Sequence, residues 1–389
     1  MAEKSDIQRV LGQIIGNYER RKRGEYNSIP FHIPKLNRVV PGIVPGLHYL
    51  ITADTKIGKS KFCRQMFILK PAAWAKAKGY KAKFIYLPLE DSKDRVLKML
   101  ICDFLRNTHT IEITVEDLSS MGEHLRLNDI MIEYIKESEL YIEEIMNDII
   151  IMDTIRQPKL IYRYLHHILM QHGEIEYETI GEGENQIKKP ARYVNKTGTH
   201  FVLVVDNVQN IEQEDKHSTP RAAIDEWTEY YVRTWLCNFF GVTVIDIQQQ
   251  APASTSHQYA NNGQLIVEKV MPSIAGLGDN KATGQTAHVI MGLFSPYRHH
   301  IADGSAFGCN VNIMKDFYRH LRVIASNVGE APVDIGLFFD GLTEDFSQMP
   351  EKKDLDKLYS YVRALEDRRG LVGNISDDTF APFAGLIGS

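Results

Sequence analysis

The stretch Ala53-Asp54-Thr55-Lys56-Ile57-Gly58-Lys59-Ser60 constrains this chain more than any other. It has the spacing of a phosphate-binding loop: a small residue, four free positions, then Gly-Lys-Ser, with Ala53 at the place where glycine is commoner. A strand-like run, Leu47 to Ile51, leads in, and a helix-like run, Lys61 to Phe67, leads out. A loop between a strand and a helix N-terminus aims backbone N–H groups and the positive end of the helix dipole at one spot. Lys59 adds a full positive charge there, and Ser60 supplies a hydroxyl for Mg²⁺. Ala53, Thr55, Lys56, Ile57, Gly58 and Lys61 complete the candidate cradle, whose expected occupant is a nucleoside triphosphate with Mg²⁺. The competing reading is a glycine-containing turn that carries a surface lysine.

At 389 residues the chain is two average domains or one large one. A hydrophobic content of 43% and a charged content of 24% fit a soluble globular protein. The net charge of -5 gives no global nucleic-acid signature, so DNA contact would come from a local surface or from a ring that concentrates one face. Cys63, Cys102, Cys237 and Cys309 are not paired at metal spacing and suggest no disulfide framework. The adjacent pairs His166-His167 and His299-His300 lack a carboxylate or cysteine at ligand spacing, which argues against zinc. Apolar runs such as Ile149 to Met152 are too short to span a bilayer, and the charged N-terminus does not read as a signal peptide. A cytoplasmic protein without membrane partners is expected.

Residues 3–23 read as an amphipathic helix with Ile7, Val10, Leu11, Ile14 and Ile15 on one stripe and a basic end, Arg20 to Arg23. It either folds back on its own core or docks on a neighbouring subunit. Strand-like runs follow at Lys83–Leu89, Asp148–Asp153, Phe201–Asp206, Val242–Ile247, Ala287–Leu293, Leu321–Ser326 and Val333–Phe339. Helical patterns separate the earlier ones, including one long stretch over 115–147. The polar segment 172–199 breaks the pattern and reads as a surface hairpin or mobile insertion. The expected organisation is an N-terminal helix and linker over 1–27, one domain over 28–350 and a C-terminal helix and tail over 351–389. Strands apolar on both faces and alternating with helices predict an α/β fold, a mostly parallel twisted sheet covered by helices on both faces. The loop follows the first core strand, where a doubly wound sheet presents its ligand crevice.

Further candidates lie at strand ends. Asp206 ends an apolar strand, where a carboxylate reaches Mg²⁺ directly or through water; a plain turn-starting Asp is the alternative. Glu90 ends the strand after the loop's helix and is a candidate base for the attacking water, with Asp91 competing and a helix cap formed by 90–92 as the structural alternative. Gln248-Gln249-Gln250 ends another strand and offers an amide that senses the γ-phosphate. The loop 276–285 is flexible in composition; its Asn280 and Lys281 either track a nucleic-acid backbone or form a solvated connector.

The order of these features resembles the RecA-like ATPase domain of the DnaB-family replicative helicases, in a form similar to those of bacteriophages, over residues 28–350. Ala53–Ser60 is similar to the family's Ala-start loop. Phe84–Ser92 resembles the strand with the catalytic glutamate, at Glu90. The run VVDNVQNI is similar to the metal-strand motif, with Asp206. Val242–Gln250 resembles the strand ending in the glutamine sensor, which falls best on Gln249. Residues 274–292 resemble the DNA-loop motif, and IGLFFDG the closing strand. The resemblance implies a P-loop NTPase that assembles as a ring, usually a hexamer, with ATP between subunits. It also implies single-stranded DNA in the channel, 5′-to-3′ movement, and a primase, polymerase or helicase loader as partner in the host-cell cytoplasm. A RecA- or KaiC-like recombination or regulatory ATPase shares the same motifs, and a low-turnover assembly or loader protein is the reading from another class. One departure stands out. Where the family carries a basic pair before the closing strand, this chain has Asn327 or Val328, so either Arg322 or another basic side chain substitutes or hydrolysis is slow. The 3–23 helix is left as the docking helix between subunits. The tail at 376–383 reads as a docking peptide or a frayed terminus.

Overall fold

The computed structural model describes residues 3–121, 126–181, 186–216, 219–255, 259, 265–278, 280–301 and 307–371. The strands, numbered in chain order, are β1 (His48–Ala53), β2 (Ala82–Pro88), β3 (Ile149–Ile151), β4 (Gly173–Ile180), β5 (Ile187–Asn195), β6 (His200–Asp206), β7 (Thr243–Gln249), β8 (Val289–Phe294), β9 (Tyr318–Ser326), β10 (Val333–Asp340) and β11 (Asp345–Gln348). Nine of them form one sheet in the order β11-β10-β9-β8-β1-β7-β6-β2-β3. From β3 to β8 all neighbours run parallel, and β9, β10 and β11 are added antiparallel. This is the mostly parallel α/β sheet that the sequence predicts.

Apolar runs buried on both faces explain the centre of the sheet. All six residues of β1 and all seven of β6 are buried. Alternation sends Tyr49, Ile51, Val202, Val204, Ile245 and Ile247 to one face, against Phe62, Met66 and Phe67 of the helix that follows the loop. The opposite face carries Leu203, Val205 and Val244 against Trp227, Leu236, Ile161 and Leu165. Each such side chain contributes about 1.5–3 kcal/mol over its exposed state. The helical run after the loop, 59–78, is α-helical over Lys59–Arg64 and Lys70–Lys78 and widens into a π turn at Gln65–Leu69. The widening directly precedes Pro71, which has no N–H to give the preceding turn.

Two elements differ from expectation. The stretch 115–147 is two helices, Val115–Leu118 and Asp129–Met146. Each starts at its own cap: Thr114 and Asp117 form a capping box, and Asn128 accepts the Met131 N–H. The C-terminal helix Leu355–Leu371 packs Leu358 and Val362 with Val311, Met314, Tyr318 and Phe338. β11 was not foreseen. The insertion is a hairpin, β4 with β5, whose strands carry cross-strand pairs Glu176–Arg192 and Glu178–Lys189.

The N-terminal helix α1 (Glu3–Lys22) does not bury its stripe on its own core: Ile7, Leu11, Ile14 and Ile15 are all at least half exposed. The chain after it is anchored by Tyr26, edge-on to Trp74 at 4.8 Å. The 376–383 segment lies outside the described residues.

Candidate nucleotide-binding site

The parallel register aligns strand ends around the loop. Ala53 ends β1 beside Gln249 on β7, and on the next strand Asp206 lies between Ile247 and Pro88. Between β1 and the helix, Lys56 and Gly58 take positive φ, 57° and 95°. At Gly58 a Cβ would sit 3.2 Å from Phe339 Cζ, so both the conformation and the close approach demand glycine. The first intrahelical bond runs from Phe62 N–H to the Gly58 carbonyl at 2.8 Å. The N–H groups of Lys59, Ser60 and Lys61 therefore have no partner within the helix.

Lys59 is 8% exposed, and among the described residues no hydrogen bond or ion pair takes up its ammonium. Ser60 Oγ donates to Asp206 Oδ1 at 3.0 Å, and the Tyr86 hydroxyl donates to Asp206 Oδ2 at 3.0 Å. Asp206 is buried. Burial pushes its carboxyl above the usual range, while the Ser60 hydrogen bond and the Lys59 charge pull it back and Glu90 pushes it further up. A buried carboxylate and a hydroxyl, both oxygen donors and short of positive charge, suit a hard divalent cation such as Mg²⁺. Tyr86 itself is held protonated, first by burial and then by Asp206.

The Glu90–Ser92 turn divides its duties. Ser92 caps the next helix through the Arg95 N–H, and Asp91 pairs with Arg95 at 3.3 Å. Glu90 is exposed and accepts from Asn207 Nδ2 at 3.1 Å. The three glutamines also differ. Gln248 and Gln250 are buried and turn away from the loop's helix. Gln248 donates to the Leu277 carbonyl at 3.0 Å and accepts from Thr283, and Gln250 donates to Thr52 Oγ1 at 2.8 Å and to the Ser273 carbonyl at 3.1 Å. They root the 273–283 loop, from which Lys281 is exposed and Asn280 half-buried. Gln249 shares the face of Ile245 and Ile247, the face of the phosphate loop.

On the other side of the loop, basic side chains hold its main chain. Arg319, 1% exposed, donates Nε to the Ile57 carbonyl at 2.8 Å and lies over the Phe339 ring at 4.6 Å. Burial lowers its guanidinium to about 10. Arg298 Nη1 donates to the Lys56 carbonyl at 2.6 Å. Lys61 points its ammonium away from the cradle, to the Gly341 carbonyl at 2.9 Å and Glu344 at 3.1 Å, leaving only its N–H for a ligand. Asp54 Oδ1 accepts the N–H of Thr55 at 2.6 Å.

Arg322 is bound to Asp334 at 2.8 Å and Glu268 at 2.7 Å, so within this chain it is not a free cation; Asn327 and Val328 are exposed. Sequence reasoning missed Tyr86, Asn207, Gln209, Arg298 and Arg319. A period-2 reading of β2 finds the first, since Tyr86 alternates with Phe84 onto the face of the loop's helix.

No protein-family model matches the chain, and no curated protein matches it in sequence. Among solved structures, one described as an ATPase domain is similar with a TM-score of 0.60 and 15% identity, over 89% of this chain and 99% of that one. A DnaB-like replicative helicase, from a structure described together with its interactions with primase, is similar with a TM-score of 0.59 and 15% identity, over 87% of this chain and 68% of that one. At that identity the likeness establishes the fold alone, a RecA-like one. No described helix is long and apolar enough to cross a membrane.

Proposed function

We propose that this chain is an ATP hydrolase of the DnaB-family replicative helicase type, ring-forming and translocating on single-stranded DNA. The observation that supports the reading is the buried Lys59 ammonium at a helix start, without a hydrogen-bond or ion-pair partner among the described residues, beside a parallel sheet whose register aligns Ala53 with Gln249 and Asp206 with Ile247 and Pro88. Lys59 and the free N–H groups of 59–61 bind the phosphates. Ser60 and Asp206 are the residues that would hold Mg²⁺, which neutralises phosphate charge when bound. Glu90 takes the proton of the attacking water while the bond from the γ-phosphorus to the ADP oxygen breaks and its electron pair leaves with ADP. Gln249 senses the γ-phosphate. Asn280 and Lys281 contact DNA, and in a hexamer six copies of that modest loop line one pore, which reconciles DNA binding with the net charge of -5. The exposed stripe of α1 supports its role as the docking helix between subunits. The test is ATP hydrolysis with and without single-stranded DNA by the wild type and by Lys59→Ala. DNA-stimulated turnover that the substitution abolishes is expected; equal activity in both would sink the assignment.

A second reading, a low-turnover loader or assembly ATPase, is favoured by one observation. Arg322, the nearest candidate for the missing basic finger, is occupied by Asp334 and Glu268. Near-zero turnover with intact ATP and DNA binding would select it.

A further inference from the structure

Glu90 is exposed, yet its carboxylate is not loose. Asn207 Nδ2 donates to Glu90 Oε1 at 3.1 Å and to Gln209 Oε1 at 3.1 Å. Gln209 Oε1 in turn accepts the main-chain N–H of Gln249 at 3.2 Å. The main chain beneath Glu90 is fixed separately. The Leu89 N–H donates to the Asp206 carbonyl at 2.5 Å, and the Leu89 carbonyl accepts from Arg156 Nη1 at 2.7 Å. What remains to Glu90 is rotation of its own side chain, and Asn207 is the group that restrains it.

The other end of the Asn207 amide is also used. Its Oδ1 accepts the Gln209 N–H at 3.1 Å and caps the short turn Val208–Asn210. The buried amide thus spends one donor hydrogen on Glu90, one on Gln209 and its oxygen on the cap. A base removes a proton from water only when its oxygen is held within hydrogen-bond reach in a fixed direction. With Oε1 taken by Asn207, Oε2 is left to face water.

We propose that Asn207 is a positioning residue for the Glu90 carboxylate, and that Gln209 couples its setting to the strand end that carries Gln249. This rests on the reading of the chain as an ATPase in which Glu90 acts on water. A displacement of Gln249 by the γ-phosphate then reaches Glu90 through two side chains, Gln209 and Asn207, on the turn that follows β6.

The experiment uses the full chain. Asn207→Ser keeps an oxygen that caps the 208–210 turn but is too short to reach Glu90, and it adds no charge. Steady-state ATP hydrolysis and the affinity for a fluorescent non-hydrolysable ATP analogue are measured on each protein. The expected result is a fall in kcat of roughly 10- to 100-fold, with KM and analogue affinity within about twofold of wild type. Gln209→Leu, at an exposed position, serves where Asn207→Ser does not fold, and a fall in kcat of about 3- to 10-fold is expected, again without loss of analogue affinity. An unchanged kcat, or an analogue affinity that falls in step with kcat, overturns the inference. Turnover that Lys59→Ala and Glu90→Gln abolish but these two variants leave untouched overturns it alone. A wild type without turnover overturns the underlying reading as well.

Discussion

On one side of β1 lie the strands β7, β6 and β2, at whose ends or just beyond them sit the candidate site residues Gln249, Asp206 and Glu90. On the other side β9, β10 and the segment after β8 bring Arg319, Phe339 and Arg298, whose contacts include the loop's own main chain and floor. The parallel side carries the groups proposed to meet a ligand. The antiparallel side presents groups that shape the loop. The difference follows from charge: acids and amides tolerate a mouth open to water and metal, while arginines saturate carbonyl oxygens that the strained loop leaves pointing inward.

The sharpest way to break this division is to remove the acid and look for a structural effect. Glu90→Gln should lower ATP turnover by about 10²- to 10⁴-fold and leave the melting temperature unchanged, as read by steady-state kinetics and thermal unfolding. A stability loss would put Glu90 among the shaping residues. Arg319→Met should do the reverse. Several carbonyls, Ile57 among them, lose their donor in a buried place, so denaturant unfolding should show a loss of about 2–4 kcal/mol, with weaker nucleotide binding as a consequence.

The two sides meet below the loop, where the helix Lys93–His109 touches the turn between β10 and β11 through Arg106 and the Thr343 carbonyl. Asp103 on that helix is pushed up to about 6 by burial, against the opposing pull of Arg106. Its folded value lies above its unfolded one, so the folded state binds more protons between about pH 4 and 6 and stability falls as pH rises through that window. Asp103→Asn should flatten this dependence and raise stability at pH 7 by roughly 2 kcal/mol, measured by unfolding at a series of pH values. The smallest effect is expected in the loop that Gln248 and Gln250 root. Lys281→Ala should weaken single-stranded DNA binding by less than about tenfold and reduce the dependence of log affinity on log salt by about 0.7 for each phosphate that the lysine neutralises. An unchanged slope would return the 276–285 loop to a plain connector.

How far the sequence carries is visible in the same contrast. The parallel side is legible because each strand is an apolar run long enough to announce itself, and a carboxylate or amide closing such a run is conspicuous. Among the three glutamines, only Gln249 shares by period 2 the face of Ile245 and Ile247, the residues packed on the loop's helix. The antiparallel side is not legible. β11 is four residues, Asp-Phe-Ser-Gln, with Phe346 alone to bury, too short for a period to register. In β9 an arginine reads as a solvent-facing residue, and nothing local tells that Arg319 is buried under the carbonyl of Ile57. The long acidic stretch at 115–147 hides its break because the helix starts at Thr114 and Asn128 are marked by single capping side chains.

The Arg319 hydrogen bond spans 262 residues of sequence. The phosphate loop leaves a ribosome early, but the arginine and the phenylalanine that give it its shape leave only when most of the domain has been made. A nascent chain therefore carries the sequence of the candidate site long before the contacts that shape it. The shape of this loop is thus a long-range property, complete only once β9 and β10 are present to hold it.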